Sequence, residues 1–175
     1  MRRVMIVGGP GSGKSTLARA LGDLTGLPVY HMDHLHWKAG WEARTLEEKR
    51  PMALEIEARD AWIFEGGLSA TYDHRVACAD TMIWLDLPVG LRLWRVTKRS
   101  ILYAGQERPD MAEGCREGFH SETLDFYRFI WRTRQSSRRR IENLIAGARR
   151  ELEIVHLRSP AAVRGYLDQL ELLRP

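Results

Sequence analysis

The chain has 175 residues, 44% of them hydrophobic, with 27 basic against 23 acidic side chains and a formal net charge of +4. That length suits one domain with a sizeable core, expected to span 1–175. No apolar run approaches the roughly 20 residues that cross a bilayer, Cys78 and Cys115 are too few for a secreted disulfide scaffold, and the apolar run after Arg3 breaks at Gly8, unlike a signal peptide. A cytoplasmic protein with no membrane partner is expected. Positive charge is uneven. Only four of the basic residues are lysines, and residues 92–150 hold 13 arginines and one lysine against seven acids. Arginine's planar fork suits bidentate contact with phosphate oxygens, so this third of the chain either closes over a polyphosphate or meets a nucleic acid.

In chain order, an apolar strand at 3–7 leads into a glycine-rich loop, and a helix follows from 14 to 24 with Gly26 as a left-handed cap. A second strand lies at 28–31. The segment 34–60 reads as an insertion at the sheet rim, on the acceptor side. It contains a helix at 45–58 whose Thr45 and Glu48 match a capping box, with Pro51 set to delay or kink it. Strands at 61–65 and 81–86 come next, then a helix at 89–102 after Pro88. Residues 103–134 form the expected lid region, 121–146 a long helix, 152–157 the last strand, and an amphipathic helix follows Pro160. Short apolar strands alternating with helices predict βαβ units and a five-stranded parallel sheet covered on both faces.

The loop carries the sharpest signal. Residues Gly8, Gly9, Pro10, Gly11, Ser12, Gly13, Lys14 and Ser15 complete the spacing G-x-x-x-x-G-K-[ST], followed by Thr16 in the helix. Glycines let the backbone curl so that successive N–H groups face a phosphate chain. Lys14 adds a point charge toward its β- and γ-phosphates, and the Ser15 hydroxyl suits Mg²⁺. The helix that starts here aims its positive end at the same anion. The loop predicts binding of ATP, or of GTP, with magnesium.

With strand, loop and helix in this order, acidic residues following the next two strands and an arginine-rich segment before the last, the chain resembles the adenylate-kinase-like P-loop kinases. More narrowly it is similar to bacterial topology modulation proteins of the FlaR type. The stretches that carry the likeness are Tyr30-His31-Met32-Asp33, Trp62-Ile63-Phe64-Glu65-Gly66, Trp84-Leu85-Asp86-Leu87-Pro88, Leu93-Trp94-Arg95-Val96 and Arg108-Pro109-Asp110-Met111-Ala112-Glu113-Gly114-Cys115. The resemblance implies a three-layer α/β P-loop nucleoside-triphosphate-hydrolase/kinase fold with a small arginine-rich lid. It also implies γ-phosphoryl transfer to a nucleotide or another small acceptor.

Several residues become candidates for that chemistry. Asp33, read as closing the second strand, lies where ligands enter open α/β sheets. A carboxylate there can hold a magnesium-bound water or accept a proton from an acceptor hydroxyl. Glu65, ending the third strand before Gly66 and Gly67, resembles the acid that reaches magnesium through water, although adenylate kinases usually have aspartate. Asp86 reads as a helix-start carboxylate. Arg95 and Arg99 share a helix face, and the resemblance places them against adenine and phosphates. Arg92 continues nearly the same face, so a solvated charge stripe is the competing reading. Arg132 or Arg134 would swing in as the lid closes. The arginines that grip the acceptor monophosphate in adenylate kinases are missing here, leaving Arg44 and Arg75 as substitutes.

Two other functions compete. The ring-bearing basic segment 126–132 suits a nucleic-acid-binding regulator that uses ATP as a switch, although on a helix many of its rings should face the core. The other is an acceptor-independent ATPase module that acts on a protein partner.

Overall fold

The computed structural model describes residues 1–106, 114–115 and 123–173. Five parallel strands form one sheet in the order β2-β3-β1-β4-β5: β1 (Arg3–Gly8), β2 (Val29–His31), β3 (Trp62–Glu65), β4 (Thr81–Leu85) and β5 (Glu153–Leu157). Helices cover both faces, as the continuous apolar strands require. Along β1, Val4 and Ile6 pack with Leu17 and Leu21 of α1 (Lys14–Thr25) and with Val163 and Leu167 of α7 (Pro160–Leu172). Met5 and Val7 face the other layer, where Ala53 and Ile56 of α3 (Leu46–Glu57), Val76 of α4 (Tyr72–Cys78) and Ile141 and Leu144 of α6 (Thr123–Ala146) close the core. The three-layer architecture predicted from strand and helix alternation is present.

Capping residues set the helix ends. Gly26 ends α1 at φ 72° with its N–H on the Gly22 carbonyl. Thr45 and Glu48 make both hydrogen bonds of the capping box. The helix runs through Pro51, so the proline neither delays its start nor ends it. Ser159 caps α7 through the Ala162 N–H, with Pro160 in the first turn. Among the described residues no helix is long and apolar enough to cross a membrane.

Three features differ from expectation. The second strand ends at His31 as expected, but Asp33, read as closing it, lies in the first turn of a short helix, α2 (Met32–His36). Helix α4 has no counterpart among the predicted elements. Of the expected lid, residues 107–113 and 116–122 lie outside the described residues, and with them most of the Arg108–Cys115 stretch; 123–134 belong to α6. Cys115, fully buried, packs against the 34–60 insertion, its thiol donating to the Lys38 carbonyl at 3.3 Å.

Candidate active site

The glycine loop joins the carboxyl end of β1 to the amino end of α1 at the middle of the sheet. Gly13, the residue before α1, adopts φ 94°, a left-handed conformation that L side chains rarely take. Lys14 folds back over the loop with Nζ 3.4 Å from the Gly9 carbonyl oxygen. Helix α5 (Val89–Leu102) backs the loop from outside, and Arg95 donates through Nη1 to the Ser12 carbonyl at 3.1 Å. One turn further on, Arg99 is half-buried. Arg95 thus meets the loop at a backbone carbonyl.

Behind the loop, Ser15 Oγ donates to Glu65 Oε1 at 2.9 Å, and His31 Nδ1 lies 2.8 Å from the same oxygen. Register explains this meeting: β2 pairs with β3 so that His31 is the direct neighbour of Glu65. An ionised carboxylate only accepts, so Nδ1 carries the hydrogen. Glu65 is 2% exposed. Burial pushes its carboxyl up, yet the His31 hydrogen bond, the Lys14 and His31 charges and the Ser15 hydrogen bond together hold it below the ordinary 4.5. Glu65 therefore stays ionised at neutral pH beside Lys14. Sequence alone does not single out His31, because only the pairing register brings it to Glu65. The described contact to Glu65 from the second strand comes from His31, two residues before Asp33.

The loop after β3 is braced from below. Arg75 is fully buried, with Nε on Glu57 Oε1 at 2.9 Å, Nη1 on the Gly66 carbonyl at 3.1 Å and Nη2 on Thr71 Oγ1 at 3.1 Å. Its guanidinium lies 3.9 Å from the centre of the Phe64 ring, and His74 Nδ1 holds the other Glu57 oxygen at 2.6 Å. Gly66 needs its missing side chain, since at φ 107° a Cβ would press on Met32. Arg75 is thus a structural pillar whose three guanidinium nitrogens all point at groups of the fold. Arg44 is committed too, donating to the carbonyls of His34, Leu35 and Trp37 and capping α2. The fold thus engages every guanidinium nitrogen of Arg75 and one of Arg44.

The arginines of α6 separate by partner. Arg132, Arg139 and Arg140 line a cavity of about 840 Å³ with Ser69, Tyr72 and Asp73. Burial raises the Tyr72 phenol; the Arg75 and Arg140 charges oppose this and the Glu65 charge adds to it. Arg134 turns back onto its own helix, donating to the Trp131 carbonyl and lying 4.2 Å from that ring's centre. Arg138 pairs with Asp86 at 3.3 Å, and His156 Nε2 lies 3.1 Å from the same carboxylate oxygen. Asp86 thus ties α6 and β5 to the end of β4 instead of capping α5. Trp37 and Trp41, edge to face at 5.3 Å, pack against each other.

Neither family profiles nor curated protein sequences match the chain. Solved structures do. A shikimate kinase from Acinetobacter baumannii, in complex with shikimate, superposes with a TM-score of 0.54 over 99% of this chain and 92% of its own, at 16% identity. A gluconokinase from Sinorhizobium meliloti 1021 gives 0.55, 99%, 93% and 16%. The deoxyadenosine kinase from M. mycoides with bound dATP gives 0.57, 97%, 99% and 12%. The chain has the P-loop kinase fold.

Proposed function

We propose that this protein is a kinase that transfers the γ-phosphoryl group of ATP, or of GTP, to a small hydroxyl-bearing acceptor. The observation that carries this reading is the Ser15–Glu65–His31 constellation behind a glycine loop at the amino end of α1. In the proposed reaction, the loop amides and Lys14 hold the triphosphate tail, Arg95 steadies the loop through Ser12, and Arg95 and Arg99 flank the nucleotide. Ser15 and Glu65 present hard oxygens side by side, a set that suits Mg²⁺, which takes most of its ligands from water and phosphate. That ion, when bound, would neutralise charge developing on the transferred group. Asp33, in the first turn of α2, takes the proton of the acceptor hydroxyl. Arg132 reaches from α6 toward the transferring oxygens, while Arg134 stays on Trp131.

The cavity beside Tyr72 is the proposed acceptor room, and three arginines in its wall favour an acceptor that carries a carboxylate or phosphate. Kinases of shikimate, gluconate and deoxyadenosine share the fold, which makes hydroxy acids, sugar acids and nucleosides the first panel to try. The test is ADP formation that depends on an added acceptor. Lys14→Ala should abolish it; ADP release unchanged by that substitution would refute the reading.

A second reading gains from one observation. Phe126, Phe129 and Trp131, rings expected to face the core, are 37%, 51% and 52% exposed beside Arg128, and only Ile130 of that run is buried. Exposed rings among cations suit the stacking of unpaired bases in a nucleic-acid regulator of the topology-modulation kind. Binding to single-stranded DNA or RNA that weakens steeply with salt would support it, and no gel shift at low salt would dispose of it.

A further inference from the structure

Arg92 opens the second turn of α5 and is 7% exposed, yet among the described residues its guanidinium makes no hydrogen bond and no ion pair. Its Nε is buried without any partner. The group rests on the glycine loop: a side chain at Gly9 would collide with Nη1 and Cζ of Arg92. Gly9 therefore makes room for this arginine. Lys14 Nζ bonds the carbonyl of the same residue. The nearby anion, Asp86, favours the charged form of Arg92, but its carboxylate is already bonded to Arg138 and His156, and burial pulls the Arg92 pKa down.

A buried cation without a hydrogen-bond partner opposes folding, because the Asp86 charge, shared with Arg138 and His156, offsets only part of its desolvation. Positive groups also gather at this loop. Lys14 lies over Gly9, the amino end of α1 points its N–H groups into the loop, and Arg95 stands at Ser12. Cationic groups gathered at one loop suit an anionic ligand. Guanidinium groups are suited to phosphate oxygens by charge and by planar geometry.

We propose that Arg92 is a second anchoring cation of the glycine loop, pairing with the phosphate chain held there, and that Gly9 is the residue that admits it. This rests on the loop reading given under Proposed function. The pairing is with phosphate charge, independent of base, so inorganic tripolyphosphate with magnesium is the probe, and Mg·ATP the second. Isothermal titration and thermal melts on the full chain compare wild type with Arg92→Met and Arg92→Lys.

The expected result is a roughly 10- to 100-fold weaker affinity for both probes in Arg92→Met, the scale of one hydrogen-bonded charge pair, and a smaller loss in Arg92→Lys. The melting temperature of ligand-free Arg92→Met should equal or exceed that of wild type, since a buried unpaired charge has gone, while its ligand-induced rise shrinks. Affinity equal to wild type overturns the proposal. So does an Arg92→Met chain that melts lower or fails to fold, because the arginine would then be a structural pillar. If wild type itself binds neither probe, the function proposed above falls as well, a result separable from wild-type binding that Arg92→Met leaves untouched.

Discussion

Two buried arginines face the two loops that build the site, and their surroundings differ in kind. Arg75, under the loop after β3, commits its guanidinium to Glu57, Gly66, Thr71 and the face of Phe64. Arg92, against the loop after β1, has no such partner among the described residues. In the first, charge and donors are matched, and the result is to fix where Gly66 and hence Glu65 stand. In the second, the guanidinium rests on Gly9 and its Nε is left without a partner among the described residues. Burial alone therefore does not assign a role to an arginine; the satisfaction of its donors does.

The largest effect that tests this contrast is on stability. Arg75→Met strands the Glu57 carboxylate, 0% exposed, with only His74, and should remove about 3–5 kcal/mol in urea denaturation. Adding Glu57→Leu should recover most of that loss. A single variant as stable as wild type would erase the distinction between the two arginines.

Next comes Glu65→Gln, which keeps the shape but removes the charge that faces Lys14 and His31. Acceptor-dependent ADP formation should fall about 100-fold, with the far-ultraviolet circular dichroism unchanged. The same residue predicts an acid limb. Its folded pKa lies below 4.5, so on acidification the unfolded chain protonates first. The stability it contributes is complete above about 4.5 and is lost as pH falls through the lower folded value. Melts between about pH 6 and 3 should show a steeper decline in wild type than in Glu65→Gln; parallel curves would contradict the depressed value.

The smallest effect belongs to Asp86→Asn, which loosens Arg138 and His156 at a partly exposed site and should lower stability by at most about 1 kcal/mol. A much larger loss would mean that Asp86 balances more of the Arg92 charge than its bonds to Arg138 and His156 suggest.

Much of this is legible in the amino-acid sequence. The loop spacing places Lys14 and Ser15, capping residues mark the ends of several helices, and apolar runs mark all five strands. Short elements are not legible. Helix α2 has five residues and α4 seven, too few for a helical period to emerge from composition. For that reason Asp33 reads as a strand end. The partners of Glu65, Arg75 and Arg92 are hidden for another reason: His31 meets Glu65 through register across 34 positions, and Arg92 meets Gly9 through the docking of α5. An arginine on a helix face reads as solvated until the loop it covers is seen. The rings of Phe126, Phe129 and Trp131 mislead in the opposite direction, since amphipathic logic sends them inward and the described surface leaves them out.

The strand order has a consequence for how the protein is made. β1 leaves the ribosome ahead of the other four strands and becomes the centre of the finished sheet, yet its two neighbours begin only at Trp62 and Thr81. Until β3 has emerged, the run Val4–Val7, 0% exposed once folded, has no strand to pair with, and until β4 follows one of its edges remains open to misassociation. Synthesis is therefore expected to leave this strand dependent on a holdase or on rapid docking of α1, and a ribosome stalled before Leu85, the end of β4, should carry a chain that proteases still cut at β1.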